Sequence, residues 1–537
     1  MNTKMIRYLI GITLLIEAGL LLFPLIVALL YKEDPLPFLI TIGIIVVFSL
    51  PFVILKPKNT RIFAKEGFIC VAGTWVLMSV FATIPYVLSG AIPNVVNAFF
   101  EAVSGLTTTG ATILADIEAL PKGILFWRSF THWIGGMGVL VFILAILPLA
   151  GGQNMYLMRA EVPGPTKGKL VPKMRNSSMI LYGIYIVMTF ILYMILLFCG
   201  MDMYHASVTA FSTAGTGGFS VLNDSIAGYH SPTIEWVVAI FMLLFSINFN
   251  LYYCALIRRF HEIKKNEELR VFLIICLLST VAIFINTRNL FDNAGDCIRT
   301  AFFQVTSIIS TSGFSTADFN LWPPFSQSIL LLLMLTGSCA GSTTGALKIS
   351  RVILICKSTL REIKHVLRPK SVNVIRLDGE PVPEEVVRSA IGYLALFVLL
   401  LVSTVILISV DGFSFETNMT AAIASLNNIG PGLKEIGPMG NFSCYSSFSK
   451  LLLSLNMLFG RLEIIPMMVL FSPFTWKKVR EQKRANKKFL RHLKRHKENT
   501  EAAFAEFFIL LLYFLCVFSN VAGIFCSRAF ARGPFSM

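Results

Sequence analysis

A chain of 537 residues that is 55% apolar, only 14% charged and has a mean hydropathy of +0.72 is too apolar for a soluble globular protein and belongs in a bilayer. Its formal net charge of +16 does not point to nucleic acid, because the basic residues gather in clusters between apolar runs rather than on one patch. The ten cysteines are scattered, without the paired spacing of zinc or redox sites, and read as small buried apolar residues.

In chain order, Lys4 and Arg7 flank a first run, Met5 to Leu30, that lacks a small-residue cleavage pattern and is followed at once by Leu36 to Leu55. This predicts two retained N-terminal transmembrane helices within residues 1–60. Eight further spans follow in pairs: Phe68 to Leu88 and Ile124 to Ala150; Met179 to Gly200 and Thr233 to Ile257; Leu269 to Ile285 and Gln327 to Thr359; Val386 to Val410 and Phe448 to Phe471. Each approaches the ~20 apolar residues that cross a ~30 Å hydrocarbon core. Basic clusters at Lys56 to Lys65, Arg159 to Arg175, Arg258 to Lys265, Lys348 to Arg376 and Lys477 to Lys497 mark the cytoplasmic side.

Within each pair lies a half-length apolar segment ending in a glycine-containing loop: Leu106-Thr107-Thr108-Thr109-Gly110, Ala214-Gly215-Thr216-Gly217-Gly218, Ser310-Thr311-Ser312-Gly313 and Asn427-Asn428-Ile429-Gly430. The preceding stretches keep one register, as in Ala98-Phe99-Phe100-Glu101-Ala102-Val103-Ser104 and Ala301-Phe302-Phe303-Gln304-Val305-Thr306-Ser307. The fold expected is therefore all-α and polytopic, with four pseudo-symmetric helix, pore-loop, helix repeats (61–158, 159–265, 266–370 and 371–476), and a basic and apolar tail over 477–537. Irregular backbone at membrane depth is tolerated only where it is buried in protein or lines a water-filled path, so the four loops must converge. Glycine carbonyls and Thr or Ser oxygens around one axis, with helix C-termini behind them, suit a dehydrated cation. The candidate ion-binding positions are Thr108, Thr109, Gly110, Thr216, Gly217, Gly218, Thr311, Ser312, Gly313, Asn428, Ile429 and Gly430.

Below that level Thr336-Gly337-Ser338-Cys339-Ala340-Gly341-Ser342-Thr343-Thr344-Gly345 interrupts the second span of the third repeat, a stretch of poor helix propensity suited to a gate built on Gly337, Gly341 and Gly345. Arg461 and Glu463 lie inside an apolar span, where a charge is either a control on the ion path or half of a local ion pair. Lys348 and Arg351 read as markers of the cytoplasmic boundary. His132, beside a Gly135-Gly136 close-packing segment, is expected to make an interfacial hydrogen bond. With no Walker loop, no Rossmann fingerprint and no carboxylate cluster, nothing points to an enzyme or to a resident cofactor.

These loops, together with Ser212 to Ser220, Thr311 to Thr316, Asn427 to Gly432, His132 to Gly138 and Leu377-Asp378-Gly379-Glu380-Pro381-Val382-Pro383, resemble the Trk/Ktr/HKT superfamily of potassium transporters, and within it the bacterial TrkH/TrkG membrane subunits. The resemblance runs to about Trp476. It implies passive or gradient-coupled potassium uptake or symport across a bacterial cytoplasmic membrane. The ion would be substrate at the filter positions, in a homodimer controlled by a cytoplasmic TrkA-type nucleotide-binding subunit, with lipid as the remaining partner. It further implies that the intramembrane loop is a gate and that Arg461 faces the pore. Each repeat carries one aligned glycine and different neighbours, so a sodium-dependent or sodium-conducting transporter of the same superfamily is the alternative. The tail departs from the family pattern, and Ala502 to Cys526 is apolar enough to form a last span.

Overall fold

The computed structural model describes residues 2–57, 63–146, 174–345, 347–371, 373–472 and 475. Contacts divide the chain into two compact units, Met1–Leu470 and Phe471–Met537. The basic stretch Lys477 to Lys497, the apolar stretch Ala502 to Cys526, the end of the first repeat's second span beyond Ile146 and most of the Arg159 to Arg175 cluster lie outside the described residues.

The first unit is helical. Two N-terminal spans, Thr3–Leu30 and Leu36–Ile54, precede the four repeats. Repeat 1 comprises Ala64–Leu88, the short helix Val95–Leu106 and Lys122–Ile146; repeat 2 comprises Met174–Phe198, the short helix Met203–Gly215, and Pro232–Phe245 with Phe249–Leu256. Repeat 3 comprises Glu267–Thr287, the short helix Ala294–Ile309, and Pro324–Thr336 with Ile349–Leu367; repeat 4 comprises Glu384–Ile408, the short helix Phe415–Asn427, and Ser447–Arg461 with Ile464–Phe471. Among the described residues six helices are long and apolar enough to cross a membrane, seven if the bent pair in repeat 2 is one span. On Glu267–Thr287, Phe272, Cys276, Thr280 and Ile283 face inward while Leu277, Leu278, Val281 and Ile285 are exposed. An apolar outer face of that kind is solvated by lipid, not water.

Each short helix starts on a capping side chain. The acceptor is Asn94 Oδ1 for Val96 N at 2.9 Å, Asp202 Oδ2 for Tyr204 N at 3.0 Å, Asn293 Oδ1 for Gly295 N at 3.1 Å and Ser414 Oγ for Thr417 N at 3.2 Å. Such caps contribute about 1 kcal/mol apiece and fix where each helix begins. Glu33, between the N-terminal spans, similarly receives Lys122 N at 2.6 Å and Gly123 N at 2.8 Å, tying those spans to repeat 1. Among the described residues the β-structure is a two-residue pairing of Arg376–Leu377 with Glu380–Pro381. It turns through Asp378 (φ +56°) and Gly379 (φ +79°), the two left-handed residues that a tight hairpin needs.

One expectation changes. The sequence points to an interruption of the second span in repeat 3 alone, but repeats 2 and 4 break as well. In repeat 2 the two halves meet at 91° around Ser246, Ile247 and Asn248. The groups freed there are used: Cys339 N donates to Ser246 O at 3.3 Å and Phe249 N to Gly341 O at 3.1 Å. The break therefore exists to pair with the irregular segment of repeat 3, which would otherwise leave peptide groups unsatisfied in the membrane.

Candidate functional site

All four short helices end in one backbone motif. Thr108, Thr216, Thr311 and Asn428 adopt left-handed conformations, with φ between +54° and +55°. The next residue's N–H then reaches back five residues: Thr109 to Ser104 O at 2.8 Å, and Gly217 to Ser212 O, Ser312 to Ser307 O and Ile429 to Ala424 O at 2.9 Å each. This is a Schellman-type C-cap, which satisfies carbonyls that a helix end leaves over. One residue further stand Gly110, Gly218, Gly313 and Gly430, with φ of +80°, +81°, +75° and +97°.

The four glycines close a ring. A Cβ added to Gly110 would collide with the carbonyl oxygen of Gly217, one on Gly218 with that of Ser312, and one on Gly313 with that of Ile429. A Cβ on Gly430 would lie 2.8 Å from the carbonyl oxygen of Thr109. In each case the carbonyl belongs to the residue before the glycine of the next repeat, so repeats 1, 2, 3 and 4 follow one another around an axis and return to 1. The structure thus brings all twelve candidate filter positions together. A cavity of about 270 Å³ opens on the side away from the basic clusters and is lined by all four glycines, and by Asp224 and Asn441 from the loops beyond them.

Packing behind the ring explains the small residues of the second spans. A Cβ on Gly135 would strike Leu106 O, and one on Gly460 would strike Leu426 O, the equivalent position in repeat 4. His132 is fully buried and stacks on Phe219 with ring centres 4.1 Å apart. Its ring nitrogens have no hydrogen-bond partner among the described residues, so the expected interfacial hydrogen bond is replaced by aromatic packing. The ring fills the space beside Gly217 that a side chain there would need.

The interrupted segment of repeat 3 lies directly against the inner ends of these loops. Gly345 N donates to Thr311 Oγ1 at 3.1 Å, and the Thr343 and Thr216 hydroxyls stand 3.4 Å apart. A Cβ on Gly345 would come within 3.0 Å of the Asn428 side chain. Gly341 (φ +74°) abuts Asn248 in the break of repeat 2, while Gly337 (φ +66°) terminates helix Pro324–Thr336. Arg461 donates to Thr343 O and, at 2.7 Å, to Gly135 O. Glu463 pairs with Arg351 at 2.6 Å, and the Arg351 guanidinium lies 4.1 Å from the Tyr393 ring centre.

Two further charges escape a reading of the sequence. Glu268, at the start of Glu267–Thr287, is buried, and its Oε1 accepts from Ala340 N at 2.7 Å, inside the segment, and from Ser350 N at 3.0 Å, just beyond it. In sequence it is one of two acids in a first turn, where it reads as an ordinary helix-start residue. Lys348, read as a boundary marker, is instead buried, with Nζ on the Thr344 carbonyl and, at 2.7 Å, on its hydroxyl.

Comparison with known proteins places this architecture. The family model for TrkH, described as cation transport protein, matches residues 38–478. The chain is 34% identical over 490 residues to the Trk system potassium uptake protein TrkH of Salmonella typhimurium, covering 89% of this chain and all of that protein. It is 31% identical over 488 residues to the Trk system potassium uptake protein TrkG of Escherichia coli, with the same coverage. The crystal structure of the potassium transporter TrkH from Vibrio parahaemolyticus superposes with a TM-score of 0.79 at 30% identity, covering 89% of this chain and all of that one.

Proposed function

The chain belongs to the TrkH family of cation transport proteins, a multi-pass protein of the bacterial inner membrane, and from that membership we propose how its parts divide the work of potassium uptake. The ring of backbone carbonyls and Thr or Ser oxygens at Thr108 to Gly110, Thr216 to Gly218, Thr311 to Gly313 and Asn428 to Gly430 is the selectivity filter. The observation that carries this reading is the closed succession of glycine against carbonyl through all four repeats. In such a ring the carbonyl dipoles replace the hydration shell of the ion, and the helix C-termini behind them add negative potential. No resident cofactor is invoked, and potassium is the substrate.

The segment from Gly337 to Gly345 acts as the gate. It touches the filter loops of repeats 2, 3 and 4, and Arg461 fastens it to repeat 1. Displacing it opens the path to the cytoplasm. A cytoplasmic TrkA-type subunit acting on a homodimer supplies that displacement, and the hairpin Arg376–Pro381, which follows directly on the basic cluster Lys348 to Arg376, is a candidate contact for it.

Complementation of a bacterium deficient in potassium uptake tests the filter. Growth at low potassium should be rescued by the chain and abolished by Gly313→Asp; rescue that survives this substitution refutes the assignment. Rubidium against sodium flux in liposomes separates potassium transport from a sodium-conducting alternative.

A further inference from the structure

Three repeats hold the N–H three residues beyond the filter glycine with a side chain from their own short helix. In repeat 1, Ile113 N donates to Glu101 Oε2 at 3.0 Å. In repeat 3, the Gln304 amide satisfies its surroundings with its oxygen toward Thr316 N and Ala317 N, at 3.0 and 3.2 Å. In repeat 4, Leu433 N donates to Thr420 Oγ1 at 3.1 Å. Glu101 and Gln304 occupy the same position, nine residues before the glycine, where repeat 2 has Thr209. The second loop is held differently. Arg128, from the second span of repeat 1, donates from Nη1 to Ser220 O at 2.9 Å and lays its guanidinium 3.6 Å from the Phe219 ring centre. Its Nε meets Glu101 Oε1 at 2.6 Å, and Thr112 Oγ1 adds a contact to the same carboxylate at 3.0 Å. Glu101 is 0% and Arg128 1% exposed. Arg128 also lines the outer cavity that the four glycines share.

We propose that the Glu101–Arg128 ion pair is a brace that fixes the spacing of the first two filter loops and adds no net charge of its own to the outer mouth, which makes both residues positioning determinants of cation affinity and selectivity. It rests on the reading of the four loops as the filter. The brace does two separable things. Geometry comes from the hydrogen bonds to Ile113 N and Ser220 O; neutrality comes from the pairing, since either charge alone would stand buried beside the path of a cation.

A charge cycle in the full chain tests this. Variants are expressed in a bacterium lacking its own potassium uptake and read by rubidium uptake against concentration, by competition with sodium, and by potassium-dependent thermal stabilisation of the purified protein. Glu101→Gln bares Arg128 and should raise KM about tenfold, the order expected of one uncompensated charge near the ion at low effective dielectric. Arg128→Met should leave KM unchanged or lower it while the discrimination against sodium falls. The double variant Glu101→Gln/Arg128→Met should return KM to within about threefold of the parent, with discrimination still reduced, the non-additivity that marks a coupled pair. Arg128→Lys keeps the charge but not the reach to Ser220, and should keep KM while losing discrimination. An unchanged Glu101→Gln variant, or a double variant as impaired as the single one, overturns the proposal. So does loss of all four variants from the membrane, which assigns the pair to folding alone. Gly313→Asp is run alongside: if it still transports, the filter reading itself falls, and if it does not, any failure belongs to the brace.

Discussion

Arg461 in the fourth repeat donates a hydrogen bond to the carbonyl of Gly135 in the first, 2.7 Å away, while its other terminal nitrogen holds the carbonyl of Thr343 in the third. One guanidinium thus ties the Gly337 to Gly345 segment, the proposed gate, to the packing behind the four glycine loops. Hydrogen bonds from a charged donor contribute about 1.5–3 kcal/mol, and about 1.4 kcal/mol is a factor of ten. Arg461→Gln is therefore expected to raise rubidium efflux from liposomes, without any regulatory subunit, by about ten- to a hundredfold. Efflux no greater than that of the parent would remove Arg461 from the gate.

Gly218→Ala combines two penalties. Alanine in a left-handed conformation costs about 1–2 kcal/mol, and its Cβ would also push against the Ser312 carbonyl in the next loop. Gly412, with φ +79° and nothing within 4 Å of an added Cβ, separates the two effects. Gly218→Ala should abolish growth at low potassium with the protein still present in the membrane, whereas Gly412→Ala should grow like the parent. Equal growth of the two would show that closure of the ring does not matter to transport.

Glu268 ties the Gly337 to Gly345 segment, the proposed gate, to the helix that follows it through Ala340 N and Ser350 N. Gln retains an acceptor oxygen there and Ala does not. Unregulated flux should accordingly rise in the order parent, Glu268→Gln, Glu268→Ala. The alanine variant is expected to exceed the parent by about tenfold or more, since a buried donor left unsatisfied costs about 1–3 kcal/mol. A reversed order would mean that Glu268 holds the open form.

In the outer loop of repeat 4, the Thr417 hydroxyl donates to the Glu435 carboxylate, and this bond, ahead of one from the residue's own backbone, holds the carboxyl below its ordinary pKa. A lowered folded-state pKa means that the unfolded chain binds the proton more readily. Its contribution to stability is therefore present at neutral pH and lost as the pH falls through the lowered value. Glu435→Gln should flatten the acid limb of a melting-temperature profile and leave the neutral limb nearly unchanged. An acid limb identical to the parent's would place the pH dependence elsewhere.

The pore loops were legible because they depend on local chemistry. A capped helix too short to cross, a left-handed Thr or Asn and a glycine two residues later recur in fixed register, and residue type alone exposes them. What depends on distant partners was not legible. Ser246-Ile247-Asn248 sits in an otherwise apolar run and breaks the helix only because Cys339 and Gly341 supply partners for its backbone. Lys348 resembles a boundary residue until Thr344 is seen to occupy its ammonium group. Glu463 stands two residues from Arg461 in the chain but pairs with Arg351, 112 positions away.

The ring of glycines against carbonyls also bears on how the four loops are assembled. Because the four segments are covalently joined, their meeting is intramolecular and depends on effective rather than bulk concentration. One chain can therefore carry different side chains in each quarter, so long as the seam between neighbours is kept. Thr-Thr-Gly, Gly-Gly, Ser-Gly and Ile-Gly now share one orifice, something no assembly of four identical subunits can build. An ion passing through would meet a backbone of near-fourfold symmetry dressed with side chains of none. No quarter can complete the orifice alone, since the oxygen that abuts each glycine is made by a different stretch of the chain.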